Sequence, residues 1–320
     1  MKFIHAVCAA ILSAALCLPL SAQAQNFPDR PIKLVVPFAA GGVVDISGRM
    51  IAKSLASQLG KPVVVENKPG GFGMIAAESV AKATPDGYTL LIDAQGLVMN
   101  PSLRKAPYDP LADLEPVGQI MSMPFTVGVN PKLGLNSLQD LVAYAKKNPG
   151  KLNAASSGTS SQLAVALFGL KTGIDFQVIS YQGAAPAATA VISGESDFIV
   201  LDLANLSQHI TSGGVKGLAV TGDTRVEGFP DIPTVSELGM PDFDITSWFA
   251  VFRPKKVPAD VAALLEKAFI NAVQSEEMQR YIRERSARPS KLDRARFSEA
   301  YANEVALWAR VVREANIKAD

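Results

Sequence analysis

Cysteine and histidine are nearly absent from this sequence, with two of each among 320 residues. Cys8, Cys17 and His5 all fall in an N-terminal stretch with the character of a removable leader, which leaves His209 as the remaining histidine. A chain without cysteine has no thiolate nucleophile, thiolate metal site or disulfide. An exported hydrolase with a Ser-His-Asp triad would depend on His209, and the sequence has no G-x-S-x-G elbow. We therefore predict neither an enzyme nor a protein with a metal or cofactor.

Net charge is nearly absent as well, because 31 lysines and arginines face 30 aspartates and glutamates. Nucleic-acid binding needs basic residues clustered on one face, and electrostatic attachment to anionic lipid needs a basic surface. The balance argues against both kinds of partner. Hydrophobic residues are abundant instead, at 48% of a length that suits about two domains with large cores.

The first 24 residues contain the three parts of a secretory signal peptide. Lys2 supplies the positive charge, an apolar run extends from Ala6 to Leu20, and Ala22 and Ala24 supply the small residues of a cleavage site. The run is shorter than the roughly 20 residues that a membrane-spanning helix needs, although an uncleaved anchor is the alternative. We predict a signal peptide over residues 1–24, cleaved near Ala24, and a periplasmic mature protein.

Two series of alternating strand and helix patterns follow, and a helical tail ends the chain. The first series has the order β-α-β-α-β, and a second series begins at Phe125. The tail shows a helical apolar face around Leu264 and Leu265. This order predicts an α/β fold of mostly parallel sheets flanked by helices. The predicted strands are 32–36, 62–66, 88–93, 125–129, 176–180, 197–201 and 216–221.

A glycine-containing loop joins the first predicted strand to the first helix. Adjacent glycines allow close approach of the backbone to a ligand, and the free N–H groups of a helix start attract an anion. The alternative is an ordinary turn in which an aspartate stabilises the helix start, with Arg49 either assisting an anion or simply exposed. The candidate ligand-binding residues here are Phe38, Ala39, Gly41, Gly42 and Asp45.

A second loop of this kind contains four hydroxyl residues and one glycine before a helix predicted to begin near Gln162. Hydroxyls and backbone N–H groups at a helix N-terminus can hold a carboxylate or phosphate without any cation. Capping by one serine is the alternative, but a cap needs only one hydroxyl. We favour anion binding, with Ser157, Gly158, Thr159 and Ser160 as the candidates.

Three further positions follow predicted strands, where the ligand crevices of α/β proteins form. Tyr181, Gly183 and Ala184 lie between a strand and a helix whose first turn contains a proline. Asp202 follows the next strand and is equally well explained as a helix cap. Gln95 follows the third strand by the same logic. We include all of them among the candidate ligand-binding residues.

A dinucleotide-like pattern, G-x-G-x-x-A, occurs at residues 71–76, with Asp93 further along. The pattern requires its first glycine directly after the first strand of a βαβ unit. Here four residues (67–70) separate it from the second predicted strand. We therefore predict no nucleotide site.

Taken together, these segments resemble the substrate-binding proteins of tripartite tricarboxylate transporters, known as the Bug or TctC-type family. Seven segments carry the resemblance: FPDRPIKLVVPFAAGGVVD (27–45), VVVENKPGG (63–71), ATPDGYTLL (83–91), APYDPLADLEPVGQI (106–120), SYQGAAPAATAVISGESDF (180–198), GLAVTGDTR (217–225) and FPDIPTVSELGMPDF (229–243).

The resemblance implies a two-lobed periplasmic binding protein of type II topology. Each lobe would be a mostly parallel sheet flanked by helices, and a small carboxylate would bind in the cleft between the lobes. We expect domain 1 to be discontinuous, over residues 25–124 and 248–320, and domain 2 to cover 125–247. The loops that hold the ligand in the family correspond to residues 38–45, 157–160 and 181–184 of this chain.

The resemblance also implies partners. The loaded protein, a monomer, would deliver its small organic acid to the permease subunits in the membrane, and presentation to a membrane sensor kinase is the alternative. This chain departs from the family pattern at Ala40, Gln162, Ser180 and Gln182. These departures make the pocket less cationic, which favours a monocarboxylate, an aromatic acid or an amide such as nicotinamide over citrate.

Overall fold

The computed structural model describes residues 27–243, 245–290 and 292–317, so the predicted leader and its cleavage point near Ala24 lie outside the described residues. The strands of the described part are β1 (Ile32–Val36), β2 (Val63–Asn67), β3 (Thr89–Ala94), β4 (Leu114–Val129), β5 (Asn153–Ser156), β6 (Gln177–Ser180), β7 (Phe198–Asp202), β8 (Lys216–Val220), β9 (Thr246–Pro254) and β10 (Arg288–Pro289). The α-helices are α1 (Val43–Leu59), α2 (Met74–Ala81), α3 (Gly96–Leu103), α4 (Leu138–Lys147), α5 (Thr159–Thr172), α6 (Ala184–Ser193), α7 (Leu203–Thr211), α8 (Ala259–Gln274), α9 (Glu276–Arg283) and α10 (Arg294–Glu314).

One curled sheet runs through the molecule in the strand order β2-β1-β3-β9-β4-β7-β5-β6, with β8 and β10 also paired to β4. β1, β2 and β3 are parallel to one another, as are β5, β6 and β7. β9 lies antiparallel between β3 and β4. We call β2, β1, β3, β9, β10 and residues 114–124 of β4 the first half-sheet. The second half-sheet consists of β7, β5, β6, β8 and residues 125–129 of β4.

β4 joins the two half-sheets through its own backbone. Between Leu114 and Pro124 it pairs with β9, and from Phe125 to Val129 it pairs with β7 and β8. The Phe125 N–H donates to Thr221 Oγ1 at 2.8 Å, so the change of partners is also bonded to the loop after β8. The two half-sheets therefore meet at a defined point, between Pro124 and Phe125.

The C-terminal helices return to the first half-sheet. α8 packs against α1, where Gln58 Nε2 donates to Ala268 O at 2.9 Å and Asn271 Nδ2 donates to Gln58 Oε1 at 2.8 Å. α10 packs against α3 and β4, and it also contacts α5 beside the second half-sheet. Four buried aromatic side chains of α10 and β9 are in mutual ring contact, namely Trp248, Phe252, Phe297 and Tyr301, and Trp308 of α10 belongs to the same hydrophobic core.

The α/β order predicted from the sequence is confirmed, and the bounds of the predicted strands differ from the observed ones by at most one residue, except in β4. β4 begins at Leu114 instead of residue 125. Its first eleven residues were not predicted as a strand because they contain Pro116, Gly118 and Pro124, which are typical of loops. β5, β9, β10, α3 and α9 were also missing from the prediction, and α5 begins at Thr159 instead of near Gln162. Within the described residues, none of the helices combines the length and the apolar character needed to cross a bilayer.

Candidate functional site

The carboxyl ends of the parallel strands in both half-sheets point toward the change of partners on β4. Ala94 at the end of β3 pairs with Phe249, which in turn pairs with Met121 of β4. From the other side, Asp202 at the end of β7 pairs with Phe125. Met121 and Phe125 are four residues apart on one strand, which corresponds to about 13 Å. The loops that follow β1 and β3 therefore face the loops that follow β5 and β7 across this crossing.

The loop between β1 and α1 presents backbone N–H groups at this edge. Residues 38–42 are exposed, and Gly42 occupies the N-cap of α1 with extended backbone angles (φ −77°, ψ 170°). The first intrahelical bond runs from Ile46 N to Gly42 O at 2.9 Å. The N–H groups of Val43, Val44 and Asp45 therefore have no acceptor among the described residues. This helix start is free to bind an anion.

Asp45 organises this loop instead of standing open to a ligand. The residue is 2% exposed, and its Oδ2 accepts the Gly41 N–H at 2.9 Å. Arg49 donates from Nε to Oδ2 at 3.0 Å and from Nη2 to Oδ1 at 2.9 Å. Asn67 at the end of β2 donates to Oδ1 at 2.8 Å, and it donates to Phe38 O at 3.0 Å.

These hydrogen bonds keep the side chain of Asp45 in its ionised form. The hydrogen bonds from Arg49 contribute most, and with those from Gly41 and Asn67 they lower the pKa of the Asp45 carboxyl to about 2 against the opposing effect of burial. The carboxylate is thus ionised at neutral pH. It anchors Gly41, whose N–H is no longer available to a ligand, and it leaves the helix N–H groups facing outward.

The loop between β5 and α5 is built differently. Gly158 is the N-cap of α5 with φ 105° and ψ −171°, a region of backbone conformation that essentially only glycine adopts. Gln162 N donates to Gly158 O at 2.9 Å, which leaves the N–H groups of residues 159–161 without acceptors among the described residues. Ser161 Oγ is directed inward and donates to Val200 O at 2.8 Å. Ser157, Thr159 and Ser160 remain partly exposed beside the helix start.

Ser156, the last residue of β5, lies directly before this loop. Its side chain is 1% exposed, and its Oγ has no hydrogen-bond partner among the described residues. Buried hydroxyls are normally paired. This unpaired hydroxyl lies directly before Ser157 and Gly158, at the carboxyl end of β5.

The loop between β6 and α6 offers backbone groups only. Gly183, the N-cap of α6, has φ 116° and ψ 172°, and the N–H groups of Ala184 and residue 185 have no described acceptors. The Tyr181 phenol lies away from this helix start, because it bonds Glu195 Oε1 at 3.0 Å and Ser196 Oγ at 3.1 Å beyond the other end of α6. Burial raises the pKa of the Tyr181 phenol.

Asp202 and Gln95 lie nearest to the crossing, and both have partners. Asp202 caps α7, with Oδ1 accepting from Asn205 N at 3.2 Å and from Asn205 Nδ2 at 2.8 Å, and burial raises its pKa. Gln95 is 1% exposed, and its Nε2 donates to Glu304 Oε2 at 3.2 Å. The Gln95 Oε1 atom is buried without a partner among the described residues.

Sequence reasoning missed Asn67, Glu304 and Trp248. Asn67 ends β2, so the strand-end argument that selected Gln95 would have found it. Glu304 and Trp248 gave no signal, because their meeting depends on α10 folding back onto β9. The three facing loops, residues 38–45, 156–161 and 181–184, contain no lysine or arginine. Their capacity to bind an anion therefore comes from helix N-termini and hydroxyls.

Known proteins are similar in sequence to this chain over most of its length. The model of the family described as "Tripartite tricarboxylate transporter family receptor" matches residues 47–317. Protein BugT of Bordetella pertussis is 36% identical over 316 residues, which are 96% of this chain and 95% of BugT.

Two solved structures are similar in both sequence and fold. The periplasmic binding protein BugD has 32% identity and a TM-score of 0.72, and the match covers 92% of this chain and 100% of BugD. Rpa4515 of R. palustris, solved with adipate, has 31% identity and a TM-score of 0.74, with 92% of this chain and 100% of Rpa4515 covered.

These matches confirm the predicted fold class, that of the two-lobed α/β periplasmic binding proteins. They also confirm the family resemblance that the seven sequence segments carried. Members of this family are solute-binding receptors and not enzymes. The chain belongs to the family of tripartite tricarboxylate transporter receptors, which includes the Bug proteins.

Proposed function

We propose that this protein captures a small carboxylate between its two half-sheets. The observation that carries the proposal is the strand register. It brings the free N–H groups at the starts of α1, α5 and α6 to facing edges on either side of the crossing on β4. The residues proposed to bind are those selected from the sequence in the loops after β1, β5 and β6. Gly41, Asp45, Tyr181 and Gln95 would act through their neighbours.

The same register suggests how the chain divides into lobes. We propose a first lobe of residues 25–124 and 248–320 and a second lobe of residues 125–247, with β4 and β9 as the connections. In this division α8, α9 and α10 return to the lobe that contains β1, β2 and β3, as the packing of α8 on α1 favours. Closure of the lobes would bring the facing helix starts onto one ligand.

Helix starts can supply sufficient affinity for such a role. Each contact between an anion and a helix N-terminus contributes about 0.3–1 kcal/mol when exposed and up to about 2 kcal/mol when partly buried. Charge-assisted hydrogen bonds add roughly 1.5–3 kcal/mol each. Several such contacts reach the binding free energy of about −8 kcal/mol that corresponds to micromolar affinity.

The ligand class follows from the chemistry of the loops. Rpa4515 was solved with adipate, which supports a carboxylate ligand for this chain as well. Since the facing loops lack lysine and arginine, we propose a mono- or dicarboxylate with one end at the start of α5. A tricarboxylate such as citrate would bring more charge than these loops neutralise.

We propose the periplasm as the location and the permease subunits of a tripartite transporter as the partners. The family description supports the partnership, and the predicted signal peptide supports the location. In this role the protein acts as a monomer that carries its ligand to the membrane.

Thermal shift measurements on mature protein, refolded to remove bound ligand, test the proposal with adipate, citrate, nicotinate and nicotinamide. A ligand present at one hundred times its Kd adds roughly 2.7 kcal/mol, which raises the Tm by about 4 °C for a chain of this length. We expect a shift with adipate or nicotinate and none with citrate. Nicotinate and nicotinamide differ mainly in charge, so a shift with nicotinamide alone would contradict a carboxylate ligand.

A further inference from the structure

Glu304 of α10 is the meeting point of three N–H donors. Trp248 Nε1 lies 3.1 and 3.0 Å from its two carboxylate oxygens, and Gln95 Nε2 lies 3.2 Å from Oε2. Trp308, one turn further along α10, donates to Oε2 at 3.3 Å. Every one of these donors is neutral, and both tryptophans are buried.

Other acidic groups are linked to this carboxylate through Tyr301. Asp93, 3% exposed, lies two residues before Gln95 on β3, and its Oδ1 accepts the Ala94 N–H at 2.7 Å. Tyr301, on the same helix as Glu304, interacts electrostatically with Asp93, Tyr108, Asp109 and Glu304. The two phenols donate to backbone carbonyls, from Tyr108 to Leu97 and from Tyr301 to Pro110, so neither neutralises a carboxylate.

The basic groups of the neighbouring elements are engaged elsewhere. Arg104, which follows α3, stacks on the ring of Phe72 at 4.0 Å. Arg253 of β9 and Arg294 of α10 form ion pairs with Glu115 of β4, at the end of β9 opposite Trp248. Lys171, the only charged residue of α5, belongs to its last turn. Glu304 therefore has neutral donors and acidic neighbours.

The position of this cluster ties it to the cleft. Gln95 directly follows β3 at the edge where the parallel strands end. Trp248 pairs with Ser122 of β4, two residues before the change of partners at Pro124. Glu304 thus contacts both Gln95 at a strand end and Trp248 on a connecting strand.

We propose that Glu304 is a positioning residue that takes up a proton when an anionic ligand binds. This inference rests on the proposed function. An arriving carboxylate adds negative charge near Glu304, for which the described residues provide no ion-pair partner, and protonation of Glu304 removes the repulsion. Binding and protonation are reciprocally linked, so the ligand binds more tightly at lower pH.

The titration range of Glu304 suits this role. Burial raises its pKa to about 7 against the opposing effect of the hydrogen bonds from Trp248, Gln95 and Trp308. At neutral pH both the protonated and the ionised form of Glu304 are therefore populated. The chain contains two tryptophans, and both donate to Glu304, so all of its tryptophan emission reports on this cluster.

Calorimetric titration with adipate tests the linkage. At pH 7, in buffers of different ionisation enthalpy, we expect the uptake of a fraction of one proton for each adipate bound. The Kd should be smaller at pH 6 than at pH 8, by up to tenfold for each pKa unit that the ligand adds to Glu304. Glu304→Gln should abolish both effects, while Glu299→Gln, an exposed position on the same helix, should retain them. Binding without proton uptake in the wild type would overturn the inference and leave the proposed function intact.

A measurement without ligand gives the second test. Tryptophan emission of the wild type should change around pH 7, and Glu304→Gln should remove this change. Asp93→Asn should retain it, which separates the contributions of Glu304 and Asp93. Emission that stays constant from pH 5 to 9, or a transition that persists in Glu304→Gln, would overturn the inference even where adipate fails to bind and the proposed function is wrong.

Discussion

Asp45 Oδ2 accepts the N–H of Gly41 at 2.9 Å, so a residue in the first turn of α1 holds the loop that precedes the helix. Arg49 and Asn67 fix the same carboxylate from the next turn and from the neighbouring strand. The shape of the loop and the start of the helix are therefore one unit. A ligand that binds the free N–H groups of α1 depends on Asp45 without needing to touch it.

The replacement of Asp45 by alanine should weaken carboxylate binding at least tenfold. The variant loses the anchor of Gly41 and leaves Arg49 without its ion-pair partner, so the loop no longer presents its N–H groups in one arrangement. Calorimetric Kd values would measure the effect. Asp260→Ala, in the exposed first turn of α8, is the matched control and should leave affinity unchanged. Equal affinities for both variants would contradict the role of Asp45.

Gly158→Ala should also weaken binding at least tenfold. A Cβ at Gly158 meets nothing within 4 Å, so the effect comes from backbone strain, of order 1–3 kcal/mol at such angles. Relief of that strain would turn the first N–H groups of α5 away from the cleft. Gly173→Ala, at the C-cap of the same helix with φ 64°, is similarly strained and should lower the Tm without changing Kd. A loss of affinity in Gly173→Ala instead would show that general destabilisation explains both results.

The hydroxyls at the start of α5 should contribute separately from its backbone. Thr159→Val and Ser160→Ala each remove one hydroxyl, and we expect each to raise Kd by roughly three- to tenfold, the loss of a hydrogen bond worth about 0.5–1.5 kcal/mol. Thr211→Val removes an exposed hydroxyl near the end of α7 and serves as the control. If neither variant at α5 differs from this control, the ligand contacts backbone groups alone.

The Tm should fall as the pH rises from 5 to 8. Burial raises the pKa of Asp93 to about 8 and that of Glu304 to about 7, above their values in the unfolded chain. The folded state therefore binds protons more tightly, and the stability these groups contribute at low pH is lost as the pH rises through their folded pKa values. Asp93→Asn should flatten the profile between pH 5 and 8. A variant profile as steep as that of the wild type would contradict this assignment.

The facing loops were predictable from the sequence because their signals are local. Gly158 and Gly183 are required by the backbone angles at two helix starts, and glycine is visible in any sequence. Asp45 was also identified, but the sequence left open whether it binds the ligand or stabilises the start of the helix. Its role as an anchor depends on Asn67, which is 22 residues away in the chain and adjacent only after β1 and β2 pair.

The first half of β4, the strand β9 and the Glu304 cluster were not predictable in this way. Leu114 to Pro124 is a strand because β9 pairs with it, despite two prolines and a glycine that oppose strand formation. Trp248 and Glu304 are hydrogen-bonded although they are 56 residues apart in the sequence. Such elements form because of pairing between distant parts of the chain, and neither composition nor periodicity predicts that pairing.

The insertion of β9 between β3 and β4 determines when this protein can fold. β3 and β4 do not pair with each other, so the first half-sheet is incomplete until residues 246–254 have been synthesised. Such long-range pairing makes folding slow, because the entropy of closing a long loop opposes it. β3 and residues 114–124 of β4 therefore remain without their shared partner until this nine-residue strand is available.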